Sequence, residues 1–205
     1  MMKMYIYYIL IAVLLIVNIA LLKMVNGTEN KVAENDDCQD RLELNRYYHK
    51  QSVSGSQLNN GIKLNAEILL KDLNNKEVSL KKLISTGPKL IIRSNEDGCG
   101  LCIEHELKLI KKFMDKIGPQ NIILITTHNN VRKLKVFKND NNITLDVYTC
   151  TSLGLPYELV SQKPFLFVID PSFTSNNFHI PEISETEISE VYYESIISRY
   201  FLPKI

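Results

Sequence analysis

The 205-residue sequence has no tryptophan, few cysteines and no stretch in which lysines and arginines cluster. Its formal net charge is +1, and without a clustered basic face nothing points to a nucleic-acid partner. The four cysteines, Cys38, Cys99, Cys102 and Cys150, are too sparse for a small domain held together by disulfide bonds. The length, with 45% hydrophobic and 23% charged residues, is sufficient for one globular domain and an appendage, but not comfortably for two domains.

One long apolar segment, Met4–Leu22, lies near the N-terminus, and Asn18 is its only clearly polar interruption. A helix of this length is ~28 Å long, close to the ~30 Å thickness of the hydrocarbon core of a bilayer. We therefore predict that residues 1–25 form a single-pass membrane anchor. A cleaved signal peptide is the alternative, but its apolar core would span only about 7–15 residues before a small-residue cleavage site, which this segment lacks.

The rest of the chain divides into two parts of different composition. Residues 26–60 are polar with little apolar periodicity, which is typical of a stalk, although residues 40–49 could form a short helix. From residue 61 the pattern changes, and we predict one globular domain over residues 61–205. The expected strands are residues 63–71, 89–93, 121–126, 143–149, 165–170 and 173–180, and the expected helices are residues 78–84, 103–117, 131–139 and 185–201.

Strands that alternate with helices indicate an α/β fold with helices on both faces of a central sheet. The order of strand, Cys-x-x-Cys, helix, strand, helix and a proline before a further strand is that of a thioredoxin fold. We therefore predict a thioredoxin-like domain with a mixed sheet, preceded by one N-terminal transmembrane helix.

The dithiol pair Cys99 and Cys102 carries the chemistry that the sequence predicts. Residues 95–98 form a loop after a buried strand, so Cys99 is expected at the start of a helix and Cys102 one turn inside it. Free N–H groups and the helix dipole favour an anion there, so we expect Cys99 to have a depressed pKa. We assign nucleophilic attack to Cys99, as the more exposed thiol, and resolution of the mixed disulfide to Cys102.

Three other interpretations of the pair stay open. A zinc half-site could use Cys-x-x-Cys, but no second cysteine pair follows, and His105 does not complete a recognisable set of ligands. The pair could also form an inert structural disulfide, or belong to a thioredoxin-shaped module that no longer turns over. We expect no bound metal and no organic cofactor.

Residues 65–201 resemble the TlpA/ResA-like thiol-disulfide oxidoreductases, a membrane-tethered bacterial branch of the thioredoxin superfamily. Ala66–Leu80 is similar to the opening hairpin of that family, and Lys163–Asp170 to its segment of the form P-FLID. The resemblance implies that Pro164 is a cis proline facing the dithiol, with the backbone of Lys163 free to pair with an extended client chain. An ordinary trans proline at the start of a strand is the alternative.

The sequence departs from the family at several positions. Gly98 stands where the family usually has tryptophan, and Leu101 stands where proline is expected between the cysteines. His105 occupies the position of the family's active-site glutamate, between Glu104 and Glu106. His105 is therefore a candidate for proton transfer, although a solvated helix residue is the more ordinary interpretation. The loop that is typical of the peroxidase branch is missing, which makes a peroxidase the weaker hypothesis.

The predicted function is that of a membrane-tethered thiol-disulfide oxidoreductase that reduces or isomerises disulfides of client proteins outside the cytoplasm. The alternative is a non-catalytic thioredoxin-like binding module with a structural Cys99–Cys102 disulfide. The predicted partners are client proteins with thiols or disulfides, an upstream thiol reductant and the lipid bilayer around residues 4–22. The domain is expected in the periplasm or extracytoplasmic space, where disulfides form.

The two remaining cysteines receive weaker assignments. Cys150 is by default a buried apolar cysteine, and Cys38 in the polar stalk is expected to be exposed. Cys150 as a third redox thiol stays open, and so does an intermolecular disulfide or one between Cys38 and Cys150, because a sequence does not decide disulfide connectivity.

Overall fold

A computed structural model of the protein describes residues 13–23, 42–44, 46–128 and 130–202. The chain divides into two compact units, Met1–His49 and Lys50–Ile205. In the first unit the described residues 13–23, 42–44 and 46–49 are helical. None of the helices in the described ranges is both long enough and apolar enough to cross a bilayer. Residues 4–12 of the predicted span lie outside the described residues.

The second unit is built around a mixed sheet, which has seven strands in the part of the chain that the structure describes. The strands are β1 (Leu69–Lys71), β2 (Glu77–Ser79), β3 (Lys89–Ser94), β4 (Ile122–Thr126), β5 (Asp146–Thr149), β6 (Phe165–Ile169) and β7 (Ser175–His179). The order across the sheet is β2-β1-β5-β4-β3-β6-β7. β3 and β4 are parallel, as are β4 and β5, and the other neighbouring pairs are antiparallel.

Helices follow or precede most of these strands. The first helix that contributes to this unit, α1, covers residues 46–59, of which residues 50–59 belong to the second unit. The others are α2 (Leu80–Ile84), α3 (Gly100–Ile110), α4 (Met114–Ile117), α5 (Val131–Asp140), α6 (Tyr157–Val160) and α7 (Thr186–Ile196), with 3-10 turns at Pro119–Asn121 and Ile183–Glu185. α7 continues into a single π-helical turn over Ile197–Phe201.

The helices cover both faces of the sheet, because successive side chains of each strand point to opposite sides. One core contains alternate residues of β3 and β4 together with apolar residues of α3, α5 and α7: Leu90, Ile92, Leu124, Leu107, Ile110, Leu134 and Ile196. The other contains the intervening strand residues with α2 and α6: Ile91, Ile123, Phe167, Leu80, Ile84 and Tyr157. The prediction of a mixed sheet with helices on both faces is confirmed.

Individual elements differ from the predicted ones in their bounds. The predicted helix over residues 103–117 is interrupted by a turn at residues 111–113, so that α3 and α4 are separate. The predicted strand over residues 63–71 is reduced to Leu69–Lys71. α6 was not predicted, and the predicted short helix over residues 78–84 is divided between β2 and α2.

α1 belongs partly to the fold rather than to a stalk. Asn59 is fully buried, and its Oδ1 accepts a hydrogen bond from the backbone N–H of Tyr157 at 3.1 Å. The Ser56 hydroxyl donates to the carbonyl oxygen of Phe178 at 2.9 Å. Residues 50–60 are therefore part of the compact unit, and the predicted boundary at residue 61 lies too late in the chain.

The segment that follows α1 runs beside β7. Asn60 Oδ1 accepts from the N–H of Phe178 at 2.8 Å, and the carbonyl oxygen of Ile62 accepts from the N–H of Ser175 at 2.8 Å. The N–H of Gly61 donates to the carbonyl oxygen of Ser175 at 2.7 Å. Side-chain and backbone groups of this segment thus fix it along the last strand of the sheet.

Candidate functional site

Cys99 and Cys102 form a disulfide at the beginning of α3, directly after the loop that leaves β3. Their Cα atoms are 5.3 Å apart. Cys99 is the N-cap of the helix, and its sulfur accepts the backbone N–H of Cys102 at 3.2 Å. Cys99 is exposed and Cys102 is half-buried, in the order that we expected, and Leu101 between them is 72% exposed. The pair thus has the placement of a redox-active Cys-x-x-Cys motif.

The loop before the disulfide packs tightly against a second loop, residues 161–164. A Cβ atom on Gly98 would collide with the backbone carbonyl oxygen of Gln162 and lie 3.2 Å from that of Asn95. The Asn95 amide also donates to the carbonyl oxygen of Ser161 at 3.5 Å. Gly98, where the resembled family has tryptophan, is therefore required by close backbone approach, since no side chain fits there.

A cleft of about 190 Å³ opens beside Cys99. Its walls come from the disulfide loop, the start of α3, the segment after β4, α5 and the loop before β6. The lining residues are Ser94, Asn95, Glu96, Gly98, Cys99, Gly100, Ile103, Glu104, His128, Phe137, Gln162 and Pro164. The cleft therefore brings the exposed cysteine together with carboxylates, amides and an imidazole.

Two hydrogen bonds join the loops that follow the parallel strands β3 and β4. The N–H of Thr127 donates to the carbonyl oxygen of Ser94 at 3.2 Å, and the N–H of Glu96 donates to the Thr127 hydroxyl at 2.8 Å. The carboxyl ends of adjacent parallel strands lie at the same edge of the sheet, so these contacts place the segment after β4 beside the disulfide.

His128 lies in this segment and lines the cleft with Cys99. Its Nδ1 atom is 2.6 Å from the hydroxyl oxygen of Thr126, and its ring stacks on Phe137 with 6.1 Å between centroids. Burial lowers the pKa of His128; the charge of Glu96 opposes this effect, and that of Lys133 adds to it. His128 was not predicted as a site residue, although its position two residues after a parallel neighbour of β3 was a usable signal.

Glu106 lies one helical turn after Cys102 and is fully buried. The Tyr193 hydroxyl of α7 donates a hydrogen bond to Glu106 Oε1. Burial raises the pKa of Glu106 to about 7, and hydrogen bonds from Tyr193 and Ser189 oppose that shift. Ser189 in turn contacts His179 Nε2 at 2.9 Å, and burial lowers the pKa of His179 to about 4. A carboxyl and an imidazole are thus enclosed behind the dithiol helix.

The structure places the sequence-predicted loop residues beside the disulfide, but not in the predicted conformation. Pro164 is buried and lines the cleft, yet the described residues contain no cis peptide bond, so the prediction of a cis proline is wrong. The Lys163 N–H donates to the Ser161 hydroxyl at 3.1 Å, and its ammonium contacts Glu182 at 2.6 Å. The Lys163 N–H is therefore engaged within its own loop.

His105, the other sequence candidate, lies on α3 but is not among the described residues that line the cleft. Its Nε2 atom is 3.3 Å from the hydroxyl oxygen of Thr186 at the start of α7. Among the described residues, no group of three or more histidine, cysteine, aspartate or glutamate side chains is arranged to hold a metal ion.

Cys150 follows β5 and makes no disulfide with a described residue. Its thiol donates to the carbonyl oxygen of Ser152 at 3.1 Å, and burial raises its pKa. Cys38 lies outside the described residues.

A buried ion pair organises the loop that contains Cys150. Arg93 Nε lies 2.7 Å from Glu158 Oε1, and the two side chains are 1% and 8% exposed. The same guanidinium donates to the carbonyl oxygens of Cys150 and Thr151, both at 3.0 Å. Glu158 Oε2 accepts from the Ser152 hydroxyl and from the N–H groups of residues 153, 154 and 155. Arg93 thereby makes three hydrogen bonds on the sheet face opposite to α3.

Comparison with known proteins gives a structural likeness without a sequence match. No family model matches the chain, and no match was found among curated proteins. A Chlorobium tepidum protein that carries the name of the thiol:disulfide interchange protein DsbE is similar over 68% of this chain and 99% of its own, with a TM-score of 0.53 and 14% identity. Peroxidoxin BcpB of Mycobacterium tuberculosis is similar over 69% of this chain and 97% of its own, with a TM-score of 0.50 and 17% identity.

A third structure, the bacterioferritin comigratory protein of Xanthomonas campestris, is studied for alkyl peroxide reduction. It is similar over 68% of this chain and 99% of its own, with a TM-score of 0.51 and 8% identity. At these identities the likeness establishes the fold alone. The prediction of a thioredoxin-like fold is confirmed.

Proposed function

We propose that this protein is a thiol-disulfide oxidoreductase of the thioredoxin superfamily that works through Cys99 and Cys102. One observation supports this most directly: the pair is closed as a disulfide at the N-terminus of α3, with Cys99 exposed beside a cleft. A helix N-terminus favours the thiolate, which is the nucleophile in thiol-disulfide exchange. The N–H of Cys102 is already directed at the Cys99 sulfur.

The reaction runs in two exchanges. In the reduced protein, the Cys99 thiolate attacks a client disulfide, a Cys99–client bond forms, and the other client sulfur leaves and takes up a proton. Cys102 then attacks the Cys99 sulfur, which releases the second client thiol and closes the Cys99–Cys102 disulfide. The client gains two electrons and two protons, and the dithiol loses them. An upstream thiol protein reverses the change by the same two exchanges.

The finer proposal is a membrane-tethered enzyme of the TlpA/ResA-like type that acts on extracytoplasmic clients. Its support is the apolar segment Met4–Leu22 and the motifs around Ala66–Leu80 and Lys163–Asp170. An exposed reactive dithiol on a tethered domain is useful in an oxidising compartment, where client disulfides form and are rearranged.

A trapping experiment tests the proposal. With Cys102→Ser in the full chain, the second exchange cannot occur, so client proteins accumulate as mixed disulfides with Cys99 that a reductant releases. Cys150→Ser is the matched control, because Cys150 lies outside the cleft and should leave client turnover intact. A chain that forms no mixed disulfide under these conditions is not an exchange enzyme.

Redox titration separates the proposal from a structural bridge. We expect a midpoint potential between roughly −120 and −270 mV for the Cys99–Cys102 pair, as in exchange proteins. A value below roughly −300 mV would identify the disulfide as structural. Consumption of alkyl hydroperoxide faster than that of disulfides would assign the protein to a peroxidase class instead.

A further inference from the structure

The side chain of His128 has one engaged nitrogen and one available nitrogen. Nδ1 is 2.6 Å from the Thr126 hydroxyl oxygen, which also receives the backbone N–H of His128 at 3.4 Å. In the tautomer with its proton on Nδ1, the Nδ1–H donates to the Thr126 hydroxyl oxygen and Nε2 carries a free lone pair. Among the described residues, no hydrogen bond involves Nε2 of His128. The contact at Nδ1 thus holds the imidazole in place, and Nε2 is available to accept a proton.

The position of the ring is fixed from two sides. Phe137 of α5 stacks on it at an interplanar angle of 22°, and the Thr127 contacts with Ser94 and Glu96 hold its segment to the loop before Cys99. His128 and Cys99 line the same cleft. Side chains that are locked by packing and hydrogen bonds keep a reactive geometry better than mobile ones.

The charges around the cleft suit an imidazole that gains a proton during the reaction. Burial lowers the pKa of His128, so its neutral, proton-accepting form predominates at neutral pH. Glu96 and Asp97 of the disulfide loop favour the protonated form, and Lys133 of α5 disfavours it. Glu104 of α3 also lines the cleft. Glu96 forms an ion pair with Lys133, with 3.6 Å between Oε1 and Nζ. The negative charges of Glu96 and Asp97 would therefore stabilise an imidazolium formed here.

We propose that His128 is the general base and acid of the first exchange, taking the proton of the Cys99 thiol and passing it to the leaving sulfur of the client. Nε2 first accepts the proton of the Cys99 thiol; the resulting Cys99 thiolate then attacks, the Cys99–client bond forms and the client disulfide bond breaks. The imidazolium then protonates the departing client thiolate, so that His128 returns to its neutral form. This inference rests on the proposed function, and it adds a catalytic residue that neither His105 nor the dithiol supplies.

The experiment compares His128→Asn with His49→Asn in the reduced full chain. His49 is an exposed residue of the first unit, outside the cleft. We expect His128→Asn to lower the second-order rate constant for reduction of a small aromatic disulfide at pH 7 by about 100-fold, the lower range for a general acid–base group. It should also remove the imidazole inflection from the pH–rate profile, while His49→Asn changes neither.

Chemical rescue distinguishes a proton-transfer role from a structural one. Added imidazole should restore part of the rate of His128→Gly, because the free base can occupy the vacated space and accept the proton. Thr126→Val, which removes the hydroxyl but keeps the ring, should shift the inflection of the pH–rate profile and reduce the rate less than His128→Asn. Rate constants and pH profiles equal to those of the wild type, or a lost rate that imidazole does not restore, would overturn the assignment.

Alkylation of Cys99 by iodoacetamide separates this inference from the proposed function. Alkylation needs no client, so it reports deprotonation of Cys99 even in a chain that exchanges no disulfide. A slower reaction at neutral pH in His128→Asn than in His49→Asn supports proton acceptance by His128. If the wild type fails to reduce disulfides while this difference persists, only the proposed function falls; if exchange occurs and the difference is absent, only the role of His128 falls.

Discussion

Gly98 shows how one missing side chain shapes the site. Any Cβ at this position meets the Gln162 carbonyl oxygen, so Gly98→Ala should push the two cleft loops apart. We expect a destabilisation of about 1–3 kcal/mol, as for other overpacked positions, together with slower reduction of disulfides. Urea unfolding and exchange rates measure the two effects.

Gly100→Ala is the matched control for that substitution. A Cβ on Gly100 would have open space around it, and the residue lies in the first turn of α3. Alanine is favoured over glycine in a helix by up to about 1 kcal/mol, so this variant should be as stable as the wild type or more stable. Equal losses in both variants would mean that the close approach of Gln162 does not govern the loop.

Glu106 predicts a pH dependence of stability. Its pKa is raised from an ordinary 4.5 to about 7 in the folded protein. The stability that this carboxyl contributes is therefore complete below pH 4.5 and is lost as the pH rises through about 7. Glu106→Gln can still accept a hydrogen bond from Tyr193, and its stability should therefore increase relative to that of the wild type as the pH rises. The gain should reach up to about 3 kcal/mol above pH 7.

Urea unfolding from pH 4 to pH 8 measures this difference. Glu104→Gln is the control, because it removes a carboxyl from the same helix at a position that is only half-buried. If Glu106→Gln and the wild type keep a constant difference over this range, the carboxyl of Glu106 does not titrate as proposed.

The residues of the site differ in how far a sequence reveals them. Cys99 and Cys102 were predictable because their spacing and the flanking strand and helix are local features. Glu106 was not, since its burial depends on Tyr193, which lies 87 residues later in the chain. His128 becomes relevant only through the parallel pairing of β3 with β4, a non-local contact. The conformation at Pro164 was predicted by resemblance alone, and it was predicted wrongly.

At the level of elements, the Arg93–Glu158 pair links strand β3 to helix α6. Glu158→Gln keeps the shape of the side chain but leaves the buried guanidinium without its counter-charge, and it removes an acceptor from the loop at residues 152–155. Loss of one partner of a buried pair costs about 3–5 kcal/mol, and we expect a loss of this size in urea unfolding.

The Lys112–Glu190 pair supplies the control for this prediction. These side chains lie 2.9 Å apart but are 64% and 38% exposed. Glu190→Gln should therefore change stability by less than about 1 kcal/mol. A similar small change in Glu158→Gln would show that the loop at residues 150–155 does not depend on the ion pair.

Elements with a strong apolar pattern were predicted well, and those held by polar contacts were not. β3, β4 and β6 are short buried apolar runs, and all three were predicted within two residues of their bounds. The part of α1 after residue 49 escaped prediction because its end is fixed by Asn59 and Ser56, which bond to distant backbone groups. A polar segment of this kind looks like a stalk until its partners are known.

For the whole molecule, the central prediction is that Met4–Leu22 remains attached to the mature protein as an anchor. The apolar run is of membrane-spanning length, and no small-residue cleavage site follows it. N-terminal sequencing of protein extracted from membranes measures the mature start. A start beyond Lys23 would contradict the anchor and assign the segment to a signal peptide.

The segment at residues 60–64 has a consequence for association between molecules. β7 is the last strand of the sheet, and a bare edge strand offers its free N–H and C=O groups to any extended chain that approaches. Here the N–H groups of Phe178 and Ser175 are already taken by Asn60 and Ile62. Residues 60–62 thus cover part of the β7 edge, and a second copy of the chain finds fewer free backbone groups there with which to extend the sheet.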